Sequence, residues 1–242
     1  MKNVYKSENV HRVVLKLSGE VLSGKKNVTY DEAIIDSLTD AIITVYNQNY
    51  ELGIVLGGGN IFRGGSWENK NLNRIVLDSI GMLATIQNSL YMVEILSSKG
   101  IDCAIFSTLA VDKVVDRYTP QLASSALEQG KICFLSGGTG NPYFTTDTAA
   151  VLRAVELKAD IVLKATNVDG LFSADPKKDK NALFISSASF EECLQKRWGV
   201  MDLTAFSLAM DNAMPIKIFN ISQPEMLIEA LTKAETGTYI HP

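Results

Sequence analysis

The chain has 242 residues, of which 46% are hydrophobic and 21% are charged, and its formal net charge is −4. This length and composition allow one large domain with a substantial core, and we take residues 1–242 as that single domain. The negative charge argues against a nucleic-acid partner, because nonspecific binding there depends on neutralising many phosphates. No apolar run approaches the ~20 residues of a membrane span, so we expect no membrane partner and a cytoplasmic protein.

Short β-branched runs alternate with helical patterns along the chain. In chain order we predict a strand at 12–17, a helix at 30–49, a strand at 52–56, a helix at 72–99, a strand at 101–106, a helix at 121–128, a strand at 131–135, a helix from 147 and a strand at 160–164. A strand at 215–219, a helix at 224–233 and a strand at 238–240 follow. Near-continuous apolar strands separated by helices are typical of a parallel sheet covered on both faces. We therefore predict an α/β fold, a three-layer α/β/α sandwich with a mostly parallel central sheet.

Two glycine-rich loops follow predicted strands. The first reads LGGGNIFRGG (56–65), and the second reads SGGTGNPYFTTD (136–147) and leads into a helix. Glycines let main-chain N–H groups approach a phosphate closely, and the N-terminal end of a helix favours negative charge. Two such loops predict a phosphate donor and a phosphorylated acceptor. The alternative is that both are ordinary glycine turns of an α/β fold.

Familiar nucleotide and metal motifs do not fit this chain. The segment GEVLSGKK (19–26) begins like a P-loop but has Lys26 where Ser or Thr must hold Mg²⁺. No G-x-G-x-x-G run is present, which removes the main support for a dinucleotide-binding fold. The cysteines, Cys103, Cys133 and Cys193, lie far apart without metal-ligand spacing, so we predict free thiols and no metal site on the protein.

Two lysines stand at the C-terminal ends of predicted parallel strands, where open α/β sheets bind ligands. Lys16 ends the first strand and Lys164 ends the strand at 160–164. Two ammonium groups at this edge would neutralise a polyphosphate, and Asp147, at the start of a helix, would orient both of them. The alternative is that each lysine extends to solvent along the sheet edge.

Short motifs at strand ends and helix starts follow one another in a fixed order: KLSGE (16–20), GGGNIFRG (57–64), GMLAT (81–85), GTGNPYFTTD (138–147), KATNVDG (164–170), Ala-Asp-Pro (174–176) and MDL (201–203). In order and spacing, from about residue 12 to residue 240, they resemble the bacterial uridylate kinases of the amino acid kinase superfamily. The resemblance implies transfer of the ATP γ-phosphoryl group to UMP. No catalytic histidine is expected, because a UMP phosphate is already an ionised nucleophile.

The resemblance also implies the role of each site residue. The catalytic residues are Lys16 for the transferring phosphoryl group, Lys164 for the donor phosphates and Asp147 for holding both lysines. The residues implied for UMP are Gly58, Arg63, Asp78, Thr139, Gly140, Asn141, Pro142, Tyr143, Phe144, Thr145 and Thr146. The residues implied for ATP are Lys16, Leu17, Ser18, Gly19, Gly59, Arg63, Thr166, Asn167, Phe172 and Asp175.

The same resemblance implies Mg²⁺ carried on the ATP phosphates and a homohexamer with the long helix at the subunit contacts. The apolar face of that helix is expected to be buried and consists of Leu83, Ile86, Leu90 and Val93. Members activated by GTP carry basic side chains where this chain has Val93, Ser97 and Ala104, so we expect little activation by GTP.

Two alternative functions remain at this point. One is an amino acid kinase relative that phosphorylates a carboxylate such as glutamate or aspartate. The other is a noncatalytic nucleotide- or oxyanion-binding subunit on the same fold. The residues at 139–146 and Asp78 suit a nucleotide better than an amino acid, and the presence of both lysines argues against a noncatalytic role.

Overall fold

The protein is described by a computed structural model that covers residues 10–24, 28–62, 72–174, 179 and 181–242. The strands are β1 (Arg12–Leu17), β2 (Glu51–Leu56), β3 (Cys103–Ser107), β4 (Asp116–Arg117), β5 (Ile132–Ser136), β6 (Ile161–Thr166), β7 (Leu171–Phe172), β8 (Phe184–Ile185), β9 (Ser187–Ser189), β10 (Ile216–Asn220) and β11 (Thr238–His241). The helices are α1 (Glu20–Ser23), α2 (Glu32–Tyr46), α3 (Arg74–Ser98), α4 (Pro120–Glu128), α5 (Thr146–Glu156), α6 (Phe190–Lys196), α7 (Leu203–Asp211) and α8 (Met226–Thr232).

Nine of the strands form one sheet in the order β4-β3-β5-β2-β1-β6-β10-β11-β9. Every neighbouring pair in this sheet is parallel except β10 and β11. The short strands β7 and β8 form a separate antiparallel pair. The predicted mostly parallel α/β fold is therefore confirmed.

The two faces of the sheet are covered by different helices. Val14 of β1 belongs to a buried cluster with residues of α4, α5, α6 and α7. Its neighbours Val13 and Leu15 belong to a second buried cluster with residues of α2, α3 and α8. Successive side chains of a strand point to opposite faces, so an apolar run of this kind is buried on both. This alternation produces the predicted three layers.

The topology brings the functional loops to one edge of the sheet. Strands β5, β2, β1 and β6 are parallel neighbours, and Lys16 of β1 lies opposite Lys164 of β6 in the strand register. The loops that follow these strands therefore leave from the same C-terminal edge. Helix α3 follows the loop after β2, and helix α5 follows the loop after β5.

The interior side of α3 carries both apolar and polar residues. Of the four apolar residues expected to be buried, Ile86 is buried within the chain, Leu90 and Val93 are partly buried, and Leu83 is 52% exposed. The interior side also carries the polar residues Thr85, Asn88 and Ser89. This side faces the glycine-rich loops, whose main-chain groups require polar partners when they are buried.

None of the helices within the described ranges is long and apolar enough to cross a membrane. The three cysteines are free. Burial raises the pKa of the Cys133 and Cys193 thiols to about 12, so neither is a reactive thiolate near neutral pH.

Candidate active site

Two lysines from adjacent strands meet one carboxylate at the C-terminal edge of the sheet. Lys16 Nζ lies 2.8 Å from Asp147 Oδ1, and Lys164 Nζ donates a hydrogen bond to Asp147 Oδ2. The exposed fractions are 7% for Lys16, 6% for Lys164 and 9% for Asp147. Both ammonium groups are therefore held inside the protein and do not extend to solvent. Two cations share one anion, so the cluster keeps an excess positive charge that an anionic ligand would neutralise.

The electrostatics of this cluster keep the carboxylate ionised. Burial raises the pKa of Asp147, but the charges of Lys16 and Lys164 outweigh it and hold the pKa below its ordinary value. Burial and the charge of Lys16 lower the pKa of Lys164, although Asp147 opposes both effects. Asp147 is thus a permanent anion with each oxygen beside an ammonium group. It is not arranged to accept a proton as a general base.

Asp147 is placed by the start of α5. Thr145 caps this helix, and its Oγ1 accepts hydrogen bonds from the N–H groups of Asp147 at 3.0 Å and Thr148 at 3.4 Å. Asp202 in turn accepts hydrogen bonds from Thr145 Oγ1 and, at 3.0 Å, from Thr148 Oγ1. The same carboxylate caps α7 through the N–H of Ala205 at 2.9 Å. One side chain therefore ties the first turns of two helices together.

Asp202 is a site residue that the sequence analysis did not assign. It lies in the MDL segment, and its place immediately before a helix is the signal that would have identified it as a cap. Its charge also raises the pKa of Lys164, which shows that it lies close enough to influence the lysine cluster.

The glycines of the first loop are required by close packing. A Cβ atom on Gly19 would lie 2.4 Å from Asn60 Oδ1, and one on Gly57 would lie 2.9 Å from the Gly19 nitrogen. A Cβ atom on Gly58 would lie 2.8 Å from Ala84 Cβ in α3. The loops after β1 and β2 thus touch each other and the long helix. Gly57 donates its own N–H to Leu17 O at 2.8 Å, so it is not one of the expected phosphate donors.

The second glycine-rich loop is shaped by left-handed backbone. Gly137, Gly138 and Gly140 have φ values of 79°, 62° and 82°, a region that favours glycine. Asp78 of α3 accepts a hydrogen bond from the N–H of Tyr143 at 2.7 Å. Asp78 therefore supports the loop, in addition to the ribose contact that the resemblance implies.

A cleft lies between α3 and the two glycine-rich loops. It is lined by Gly58, Gly59, Phe62, Leu77, Asp78, Gly81, Met82, Thr85, Gly138, Asn141, Phe144, Thr145 and Thr146. Six residues expected at UMP line it, namely Gly58, Asp78, Asn141, Phe144, Thr145 and Thr146. The other loop residues expected there do not line it, namely Thr139, Gly140, Pro142 and Tyr143. Phe62 and Leu77 also line the cleft, although neither was assigned to the site. So do three residues of the GMLAT segment, a motif for which the sequence predicted no role.

Most of the residues expected at ATP lie at or after the ends of β1 and β6, whereas Gly59, also expected there, lines the cleft. Leu17 ends β1, with Ser18 and Gly19 next, while Thr166 ends β6 and Asn167 follows it. Phe172 of β7 packs edge to face on Phe184 with ring centroids 5.5 Å apart. Arg63 and Asp175, also expected in the site, lie outside the described residues. No group of three or more metal-ligating side chains is present in the described ranges.

These features suit the transfer of a charged group between two anions. The cluster offers fixed positive charge in a buried position, where such charge stabilises a developing anion more strongly than it does in water. The two histidines, His11 and His241, lie in the first and last described segments and are not in the cleft. The arrangement supports positioning and charge stabilisation rather than acid–base catalysis.

Known proteins are similar to this chain in sequence and in fold. The sequence profile described as the amino acid kinase family matches residues 11–220. The uridylate kinase of Buchnera aphidicola subsp. Baizongia pistaciae is 42% identical over 229 residues, with 95% of each chain covered. The solved structure of UMP kinase from Bacillus anthracis has a TM-score of 0.93 at 32% identity, with 96% of each chain covered. That of UMP kinase from Ureaplasma parvum has a TM-score of 0.91 at 33% identity and covers 97% of this chain and 100% of that one.

Proposed function

The chain belongs to the amino acid kinase family with uridylate kinases as its relatives over nearly its whole length, and on that premise we propose that it transfers the γ-phosphoryl group of ATP to UMP. The bond between the γ-phosphorus and the β,γ-bridging oxygen breaks, and a bond to a UMP phosphate oxygen forms. The products are UDP and ADP. The observation that carries the proposal is the buried pair Lys16 and Lys164 on Asp147, beside a cleft between two glycine-rich loops.

The lysine cluster supplies the charge stabilisation. Lys16 stabilises the transferring phosphoryl group, and Lys164 stabilises the donor phosphates and the leaving oxygen. Asp147 holds both ammonium groups in place before the substrates arrive, so little reorganisation is needed during the reaction. The phosphate of UMP attacks as an anion, which agrees with both oxygens of Asp147 being engaged by ammonium groups rather than available to accept a proton.

The two substrates occupy opposite sides of the cluster. UMP lies in the cleft, with its phosphate toward Gly58 and its ribose toward Asp78. ATP lies along the loops after β1 and β6, with Phe172 near the adenine. Mg²⁺ is carried by the ATP phosphates, as is usual when a nucleoside triphosphate is the phosphoryl donor.

Residues 1–242 act as one amino acid kinase-like domain, and we place the enzyme in the cytoplasm, where it supplies UDP for pyrimidine nucleotide synthesis. Free cysteines and ATP as a substrate support this placement. We propose a homohexamer in which α3 forms subunit contacts. The outward side of its first half exposes large apolar side chains, which is unusual for a solvated surface: Ile75, Val76, Ile80 and Leu83.

We propose that GTP is not an activator of this enzyme. Lys99 and Arg117, which are close in sequence to Val93, Ser97 and Ala104, are already engaged by carboxylates. Lys99 Nζ lies 2.5 Å from Asp36 Oδ1 and 2.7 Å from Asp40 Oδ1, and Arg117 Nε lies 3.0 Å from Asp112 Oδ1. A nucleotide triphosphate would have to compete with these carboxylates for the same cations.

One assay separates this proposal from its rivals. The protein is mixed with ATP, Mg²⁺ and one acceptor from UMP, CMP, dCMP, glutamate and aspartate, and ADP release is measured. Rapid release with UMP, together with UDP identified by ³¹P NMR, is the expected result. Release only with an amino acid would instead indicate a carboxylate kinase. Nucleotide binding without turnover would indicate a noncatalytic subunit.

A further inference from the structure

Helix α3 carries two polar side chains that are buried where the sequence pattern indicated no function. Thr85 is 2% exposed and Asn88 is 0% exposed, and they lie almost one helical turn apart. A buried polar side chain costs free energy unless it is hydrogen-bonded, and each of these two is bonded to a different glycine-rich loop.

Thr85 holds the loop that follows β5. Its Oγ1 accepts a hydrogen bond from the N–H of Gly137 at 2.8 Å and donates one to Met82 O at 2.7 Å. The carbonyl of Gly137 accepts hydrogen bonds from Thr108 Oγ1 at 2.7 Å and from the N–H of Gly140 at 3.1 Å. Gly137 is thus fixed on both sides of its left-handed backbone. The next residue, Gly138, lines the cleft.

Asn88 holds the loop that follows β2. Its Nδ2 donates to Gly57 O at 2.7 Å and to Asn60 Oδ1 at 2.7 Å, and its Oδ1 accepts from Tyr30 Oη at 3.0 Å. Asn60 Nδ2 donates back to Asn88 Oδ1 at 3.1 Å, so the two amides form a reciprocal pair. The donors and acceptors of Asn88 are therefore fully used.

The bond from Asn88 sets the direction of one main-chain donor. The carbonyl of Gly57 and the N–H of Gly58 belong to the same trans peptide, in which the two groups point in opposite directions. Because Asn88 binds the carbonyl, the N–H of Gly58 is directed away from α3 at a residue that lines the cleft. A rotated peptide would break this bond and withdraw the donor.

We propose that Thr85 and Asn88 are positioning residues for the phosphoryl transfer, with Thr85 fixing the UMP loop and Asn88 fixing the loop between UMP and ATP. This inference rests on the proposed function. Each of the two loops is held by a different side chain of α3. Thr85 holds a loop that lines the UMP cleft, so its substitution should change KM for UMP. Asn88 directs the Gly58 N–H toward the UMP phosphate that reacts, so its substitution should mainly change kcat.

The test compares Thr85→Val, Thr85→Ser and Asn88→Asp with a control on the same helix. Valine matches the shape of threonine but cannot accept the Gly137 N–H, so KM for UMP is expected to rise about tenfold, the effect of one buried hydrogen bond. KM for ATP should stay unchanged, and serine, which keeps Oγ, should restore the value. In Asn88→Asp an acceptor replaces the donor at Gly57 O, and kcat is expected to fall about tenfold or more.

The control is Ser89→Ala. Ser89 is equally buried, but its Oγ donates a hydrogen bond to Thr85 O, within the helix rather than to a loop. It should lower the melting temperature without changing kcat or either KM. If Asn88→Asp does not fold, Asn88→Ala removes the bond to Gly57 O without placing a second acceptor there and should also lower kcat.

The possible outcomes distinguish a failure of the positioning roles from a failure of the proposed UMP kinase activity. A wild-type protein that does not phosphorylate UMP contradicts the proposed function. If the wild-type protein is active but Thr85→Val and the folded Asn88 variant have the same kcat and KM values as Ser89→Ala, the positioning roles alone are contradicted. Equal increases in both KM values for Thr85→Val would also overturn the assignment of that residue to the UMP loop.

Discussion

Replacing Lys164 by methionine tests the central claim about the site. The variant removes one of two ammonium groups but leaves Asp147 paired with Lys16, whose Nζ lies 2.8 Å from Oδ1. Two cations and one anion become one neutral pair, so no uncompensated carboxylate is created. The expected fall in kcat is ~10²- to 10³-fold, or ~2.7–4 kcal/mol, the cost of removing one preorganised donor.

The fold should tolerate this change. Burial already lowers the pKa of Lys164, which means that its charge is unfavourable in the folded protein. Because the variant also leaves Asp147 paired with Lys16, the melting temperature is expected to change by less than ~4 °C, or about 1 kcal/mol in a chain of this size. Initial rates of ADP release at saturating UMP and ATP give kcat, and circular dichroism follows unfolding.

Lys217 provides a matched control for Lys164. It is a fully buried lysine on the neighbouring strand β10, and its Nζ donates to Lys233 O at 2.6 Å, away from Asp147. Lys217→Met should change stability but leave kcat near the wild-type value. A folded Lys164→Met variant with wild-type turnover would refute the catalytic assignment. An equal loss of kcat in both variants would show that any buried lysine of the sheet has this effect.

Three further predictions concern pH, specificity and regulation. Burial lowers the pKa of Lys217 from 10.5 to about 8, so the folded protein binds fewer protons than the unfolded chain between these values and stability rises with pH. Relative to Lys217→Met, the wild type should gain up to ~3 kcal/mol in unfolding free energy across this window; urea unfolding that shows no relative gain would contradict the assignment. UMP should be preferred to CMP by up to ~10⁴-fold in kcat/KM, because a site built for specific hydrogen bonds leaves polar atoms unpaired with the wrong base; similar kcat/KM values for the two would contradict it. Millimolar GTP at subsaturating ATP should leave the initial rate almost unchanged, and a several-fold rise would show that the engaged cations still bind the effector.

The central strands of the main sheet could be predicted because they are apolar runs buried on both faces, whereas its short edge strands β4 and β9 carry no such pattern. The strand β1 has the predicted bounds Arg12–Leu17, and five of its six residues are buried. The helices and strands from β7 to α7 could not be predicted from hydrophobic periodicity, because they are short and periodicity needs a longer stretch of sequence. Capping residues were the available signal. Ser189 and Glu192 form a capping box at the start of α6, and Asp202 caps α7.

The charged residues of the site could be predicted better than the buried polar residues of α3 that hold its loops. Lys16 and Lys164 are conspicuous, because a lysine at the end of an apolar strand requires an anion. Thr85 and Asn88 are not conspicuous, because polar residues in an amphipathic helix normally indicate its solvent side. The pattern of α3 is inverted over this stretch: Leu83 is exposed, while Thr85 and Asn88 are buried. Only the position of the two glycine-rich loops explains why the polar side faces inward.

The positive charge of the site and the shape of its cleft are provided by different elements: the lysines by β1 and β6, and the cleft by α3 and the two glycine-rich loops. Lys16 and Lys164 are register partners on adjacent parallel strands, whose backbones lie about 4.8 Å apart. Their separation is therefore set by the strand ladder and by Asp147, not by the freedom of two long side chains. The cleft, in contrast, takes its shape from loops that are bonded to α3. Substitutions in the lysine cluster should therefore lower kcat. Loosening the loop at Gly137, which Thr85 holds, should instead raise KM for UMP, because Gly138 lines the cleft while Asp147 is anchored separately by Thr145 and Asp202 at the start of α5.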